Sequence, residues 1–219
     1  MTDSEIDPAF DAAGVGVYVS YGHVSRCRFD HLSFNANRQQ TFLDVRSAIP
    51  ATTSPKLAFG YMDNCLITGL KGRYNTTVKG YAVSITRDGV DTGGRVRNCT
   101  VVGNETAYSL NAGGYAGSIV NCIFTGAISV SLTDANKLAR MSNNCLPEDI
   151  GSACVVAADP RLRANGVPWA DSPVIGRAAP LAGAESALDL LGNPRLGRDA
   201  LQDIGAIEYQ PKGFSLYLR

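Results

Sequence analysis

"NCTVVGNET", residues 98–106, is one member of a series. "NCLITGLKG" begins at Asn64 and "NCIFTGAIS" at Asn121; a looser form, "RCRFDHLSF", begins at Arg26, and a broken one, "NCLPEDIGS", at Asn144. The gaps between Cys27, Cys65, Cys99, Cys122 and Cys145 are 38, 34, 23 and 23 residues. Self-similarity at a period of about 20 to 50 residues is the signature of a solenoid. Each cysteine lies in a short apolar run bounded by Gly or Asn, which is strand chemistry. Alternation along these runs puts Cys65, Ile67 and Gly69 on one face, and likewise Cys99 with Val101 and Cys122 with Phe124.

A second alternating run precedes each cysteine run, at 16–20, 41–46, 81–86, 107–112 and 127–133, and Gly-rich turns occupy 88–94 and 111–117. No helical period lies between the runs, which argues against a βαβ sheet. Five units of two or more short strands fit a parallel β-helix, one coil per unit, with equivalent strands about 4.8 Å apart. The preference for right-handed parallel crossovers makes the expected hand right-handed.

Stacked coils place equivalent side chains over one another. A small, soft Cys suits an interior column of its own kind. Asn suits the bend beside it, because it tolerates a left-handed backbone and its amide can bond the next coil. Disulfides along such a column are disfavoured by parallel Cβ vectors. Cys145 and Cys154, the latter outside the repeat, remain the one pair that could bridge. The absence of any Cys-x-x-Cys gives no reason to expect zinc. Of the sequons at Asn75, Asn98 and Asn104, that at Asn98 is expected to face inward.

Lys plus Arg equals Asp plus Glu, 20 against 20, in 219 residues. That balance offers no electrostatic case for a nucleic-acid or anionic-membrane partner. No apolar run is long enough to span a bilayer. Residues 1–13 lack the basic start and apolar core of a signal peptide. Because the repeats begin so early, the chain is expected to be the C-terminal part of a longer protein that carries its export signal upstream.

The coils should occupy 14–146. After Cys145 the pattern changes: residues 159–180 are loop-like, with four prolines, and 182–192 could form a turn or two of helix ending at Gly192. An open solenoid end exposes strand edges and core, so it needs a cap. Residues 147–210 are read as that loop-rich cap, with Pro160, Leu162, Trp169, Ile175 and Ile204 folded over the last coil, and 211–219 as a tail.

"SPVIG" (172–176), "DLLGNPR" (189–195) and "DIGAIEYQ" (203–210) resemble the closing module of bacterial right-handed β-helix proteins of the pectate-lyase-like superfamily, of the choice-of-anchor Q type. The resemblance covers roughly residues 14–210, with Gly176 and Ile207 departing from the usual Asp and Tyr. It implies an extracellular or surface location and contact with carbohydrate. A lyase of that superfamily uses a cation on carboxylates to acidify a proton beside a uronate, and a basic residue to remove it. Here Arg87, Asp88 and Asp91 form the best local cluster, Asp88 and Asp91 being able to take Ca²⁺. Lys71, Arg73, Tyr74, Lys79 and Arg95 could hold an anionic glycan. The competing reading of 86–95 is a solvated turn. His31, beside Asp30, reads as a surface residue on a coil turn. The chain is thus expected either to bind or degrade polysaccharide, as a lyase or glycoside hydrolase, or to serve as a non-catalytic stalk or adhesin.

Overall fold

The computed structural model describes residues 15–19, 23–30, 33–35, 41–48, 58–59, 61–69, 71–73, 81–87, 95–103, 108–111, 118–129, 140–151, 153–157, 159–181, 187–195 and 201–211. Among them are strands and turns but no helix. Coil 1 holds β1 (Val15–Val19), β2 (His23–Ser25), β3 (Arg28–Asp30) and β4 (Ser33–Asn35). Coil 2 holds β5 (Thr41–Ala48), β6 (Ala58–Phe59), β7 (Tyr61–Asp63), β8 (Leu66–Thr68) and β9 (Lys71–Arg73). Coil 3 holds β10 (Tyr81–Arg87), β11 (Arg95–Arg97) and β12 (Thr100–Val102). Coil 4 holds β13 (Tyr108–Asn111), β14 (Ser118–Val120) and β15 (Ile123–Phe124). Coil 5 holds β16 (Ala127–Ser129), β17 (Met141–Ser142) and β18 (Asn144–Leu146), and β19 (Cys154–Val156) follows.

Equivalent strands pair in parallel from coil to coil. Sheet A runs β1-β5-β10-β13-β16, sheet B β2-β7-β11-β14-β17 and sheet C β3-β8-β12-β15-β18-β19, with β4 beside β9. Among the described strands only β6 is antiparallel, to β5. The chain is therefore a parallel β-solenoid of about five coils.

The Asn-Cys runs bend where Asn permits it. Asn64, Asn98 and Asn121 have φ of 55°, 49° and 58°, and Arg26 and Asn143 hold the same left-handed place at 53° and 52°. Asn meets that conformation at low cost. The bend turns one apolar run into two strands on different sheets. The following cysteine then points inward, where Cys65, Cys99 and Cys122 are fully buried with Ile67, Val101 and Phe124. Each thiol donates to a carbonyl of the coil before: Cys65 to Val24, Cys99 to Met62 and Cys122 to Val96, at 3.6, 3.7 and 3.5 Å. All six cysteines are free.

Coil 5 corrects the sequence reading by one residue. Ile123 pairs with Cys145, so Asn144 takes the column position after Cys122. Its Nδ2 donates to Ile119 O at 3.0 Å, the rung a thiol would have made, and its Oδ1 accepts from Cys122 N at 2.9 Å. Cys145 faces outward, because a one-residue slip flips a strand side chain to the other face. Cys154, in register with Asn144, rejoins the inner column. Cys145 and Cys154 thus face opposite sides of sheet C and do not pair.

The described residues of the C-terminal module, 159–181, 187–195 and 201–211, lie against the outer face of sheet C. Leu66 packs against Ala206 and Ile207, with Val167 and Leu190 beside them. Ile123 and Cys145 pack against Val174 and Ile204. Burying such an outward Leu or Ile is worth about 1.5–3 kcal/mol. Gly205 (φ 106°) makes the approach possible, since a Cβ there would lie 2.6 Å from Ile123 Cδ1. Ile150 and Cys154, not this segment, pack on the interior at coil 5. The segment therefore clads a flank from coil 2 to coil 5. Pro160 and Ile204 are buried as expected, whereas Trp169 is half exposed. The described part of the expected helical stretch, 187–192, is a turn in which Asp189 accepts from Leu191 N.

Candidate functional site

Asp88, Asp91, Tyr74 and Lys79 lie outside the described residues. Arg87 ends β10 in sheet A, Arg95 opens β11 in sheet B, and Lys71 and Arg73 belong to β9, paired to β4. The four that are described thus sit on three different sheets. His31 is also outside the described residues, and Asp30 is held by Arg28 at 2.7 Å.

A polar constellation lies instead on the outer face of sheet B. The middle residues of β2, β7, β11 and β14, Val24, Met62, Val96 and Ile119, point into the core, as does Met141, the partner of Ile119. Their neighbours therefore face out. Pairing stacks His23, Arg95 and Ser118 in one column, with the Tyr61 backbone between His23 and Arg95, and Ser25, Asp63, Arg97 and Val120 in the other. Arg140 extends this face beside Met141, the partner of Ile119.

Asp63 is the pivot. Its fully buried carboxylate accepts from Arg97 Nε at Oδ1 (2.7 Å) and from His23 Nε2 at Oδ2 (2.6 Å). Arg97 Nη2 adds a longer bond of 3.3 Å to Oδ2. A carboxylate this deep requires such pairing to stay charged. The contact fixes the orientation of the His23 ring through Nε2. His23 is about one-third exposed and Arg97 mostly covered, while Arg95 and Arg140 are exposed. Arg95, Arg97 and Arg140 thus share one face with His23 and Asp63.

Sequence reasoning missed this constellation because His23, Asp63 and Arg97 are 40 and 34 residues apart. The signal was available in the repeat. Aligning "HVSRC", "YMDNC" and "RVRNC" on their cysteines puts Asp63 directly beneath Arg97 and His23 on the diagonal.

The motifs that carry the family resemblance form a different cluster, beneath residues 159–211. Arg195 is fully buried and donates from Nε to Asn64 Oδ1, from Nη1 to Glu208 Oε1 and from Nη2 to Gly205 O, each at 2.7 Å. Asp189 accepts from Asn193 N and Glu208 N, and Asp203 from Gly176 N and Tyr209 N. Burial pushes the Glu208 carboxyl up to about 8, with Asp203 adding and Arg195 opposing. Burial likewise raises Asp203 and lowers Arg195. With every polar group turned inward, the cluster is a fastening and offers no surface for chemistry.

The asparagine corners receive this fastening. Asn121 exchanges two hydrogen bonds of 2.8 Å with the backbone of Ala179, and Asn143 donates to Arg177 O. The expected amide ladder is limited, among the described residues, to Asn121 Nδ2 donating to Asn98 Oδ1 at 3.0 Å. Asn98 is fully buried, so its sequon is closed to glycosylation in the folded chain.

Among the described residues no group of three or more His, Cys, Asp or Glu side chains could hold a metal ion, and no helix is long and apolar enough to cross a membrane. Comparison with protein-family models, curated proteins and solved structures finds no match.

Proposed function

We infer that this chain is a secreted or surface β-solenoid of the pectate-lyase-like kind that binds, and on the resemblance degrades, acidic polysaccharide along the outer face of sheet B. The observation that carries the reading is the stacked polar face of His23, Asp63, Arg95, Arg97 and Arg140. A polyanion lying along the solenoid axis would meet a new rung about every 4.8 Å. Arginine forks suit carboxylate ligands. Asp63 fixes the His23 ring on this face, where it adds a further polar group to the arginines.

The test is binding of the full chain to polygalacturonate by calorimetry at low and high salt, with ultraviolet absorbance of unsaturated uronates as the activity readout. Salt-sensitive binding, weakened about tenfold by combined Arg95→Ala and Arg140→Ala, is the expected result. Binding that ignores both arginines would sink the assignment of this face. A chain that binds no acidic glycan would fit the alternative, a rigid stalk. That alternative draws support from the fastening of residues 159–211 across four coils.

A further inference from the structure

A cleft of about 640 Å³ opens in the C-terminal module, and Arg163, Val167, Leu191, Ile207 and Pro211 border it. Its volume lies in the usual small-molecule range of roughly 300–1,000 Å³. The walls are braced. Ile207 packs on Leu66 in the core cluster beneath, and Gly166, in the turn 163–166, would touch Leu66 if it carried a Cβ, at 3.1 Å. Gly166 N donates to Arg163 O and Arg163 N to Val167 O, both at 2.8 Å, which fixes the turn that presents Arg163.

The charge at this cleft is uneven. The guanidinium of Arg163 lies over the ring of Trp169, 4.5 Å from its centroid. Arg161 nearby is paired with Asp171 at 2.6 Å, but Arg163 has no carboxylate partner among the described residues. Glu208 also borders the cleft, yet it is buried and bonded to Arg195. Leu191 is 61% exposed. A cation held in place by an aromatic ring therefore faces an apolar wall that water covers poorly.

We propose that this cleft is a binding site for a ligand with an apolar body and a single carboxylate. The carboxylate bonds the fork of Arg163, and the body covers Leu191, Val167 and Ile207. Gln210, on the same wall, offers an amide for any further polar group, while the Asn193 amide donates to Asp189 at 3.1 Å. The site is independent of the glycan reading, because none of its residues lies on sheet B.

Trp169 is the only tryptophan, so its emission reports on Arg163. The full chain would be titrated with phenylacetate, with uncharged phenylacetamide and with galacturonate, by fluorescence and by calorimetry. Phenylacetate should saturate, and phenylacetamide should bind at least about tenfold more weakly, the loss expected for one charge-assisted hydrogen bond. Arg163→Gln should weaken phenylacetate by a similar factor. Leu191→Ser, which leaves the Arg163–Trp169 pair alone, should weaken phenylacetate more than it weakens galacturonate. An unchanged melting temperature would show that both variants fold. Absence of saturable binding, equal affinity for acid and amide, or indifference to Arg163→Gln would each overturn the site. Galacturonate binding as tightly as phenylacetate would overturn the apolar-body requirement.

Discussion

Replacing Arg195 with Met should loosen the C-terminal module from the coils. Methionine keeps much of the stem but removes all three 2.7 Å bonds to Asn64, Glu208 and Gly205. Leaving Asn64 Oδ1 and Gly205 O without this donor costs about 1–3 kcal/mol each. Breaking a buried ion pair typically costs about 3–5 kcal/mol, chiefly through the orphaned charge. Glu208 escapes part of that penalty, because its carboxyl already holds a proton up to about pH 8. The expected total is then about 3–4 kcal/mol, a large part of the roughly 5–15 kcal/mol that holds a domain folded. Urea unfolding at pH 7 would be followed by Trp169 emission, which reports the module, and by far-ultraviolet circular dichroism, which reports the strands. The Trp169 transition should move first and furthest. Adding Glu208→Gln should change this loss little at pH 7, because the acid it replaces is already protonated there. A loss below about 1 kcal/mol for Arg195→Met, the scale of an ordinary substitution, would refute the fastening role.

Gly205→Ala combines a left-handed φ of 106° with a Cβ only 2.6 Å from Ile123 Cδ1, so it should cost about 2–4 kcal/mol in the same unfolding assay; a neutral effect would mean that the module does not sit this close. Burial and the bond to Cys122 hold the Cys99 thiol well above its ordinary range, and burial, with Cys154 adding, pushes Cys145 up to about 12. The bond to Cys65 and burial likewise raise the Cys27 thiol, so a thiol reagent at pH 8 should reach half-buried Cys154 first in the native chain and all six only after unfolding; rapid native labelling of Cys65, Cys99 or Cys122 would contradict the inner column. Glu208 binds its proton more tightly folded than unfolded, since burial raises it from 4.5 to about 8. Its contribution is complete below pH 4.5 and is lost as pH rises through 8, so the melting temperature should fall across that window and Glu208→Gln should flatten the fall; a Glu208-dependent rise would reverse the assignment. Asn144→Ala removes the bonds to Ile119 O and Cys122 N, for a cost of about 1–3 kcal/mol by thermal unfolding, whereas Asn144→Cys should cost less by restoring a thiol rung.

The solenoid was legible because its physics repeats. Cysteine spacing, strand chemistry and the left-handed tolerance of Asn each lead to the bend and the inner column that the structure contains. Where the repeat degenerates, the letters mislead. In "RMSNNCLP" the eye matches "NC", but alignment on the apolar Met141 makes Asn143 the bend and Asn144 the column residue. The flank was hidden for another reason. Leu66–Ile67 and Ile123–Phe124 are adjacent apolar pairs, which mark a strand buried on both faces. Read from the cysteine face alone, the sequence leaves Leu66 and Ile123 without a partner and points residues 147–210 at the solenoid's end. The His23–Asp63–Arg97 constellation needed the inter-coil register, which no single stretch of sequence contains.

The asparagine corners have a consequence for how this protein can change length. Arg195, Ala179 and Arg177, in one stretch of chain, reach Asn64, Asn121 and Asn143 on coils 2, 4 and 5. Solenoids ordinarily grow by duplicating a repeat, since each repeat touches only its neighbours. A coil duplicated between Asn64 and Asn143 would shift one anchor by about 4.8 Å, more than a hydrogen bond can follow. Coil 1 carries Arg26 at the corner and escapes this constraint. Gain or loss of coils in descendants of this chain should therefore be confined to the N-terminal side of coil 2, while the four coils beneath the module are inherited as a fixed count.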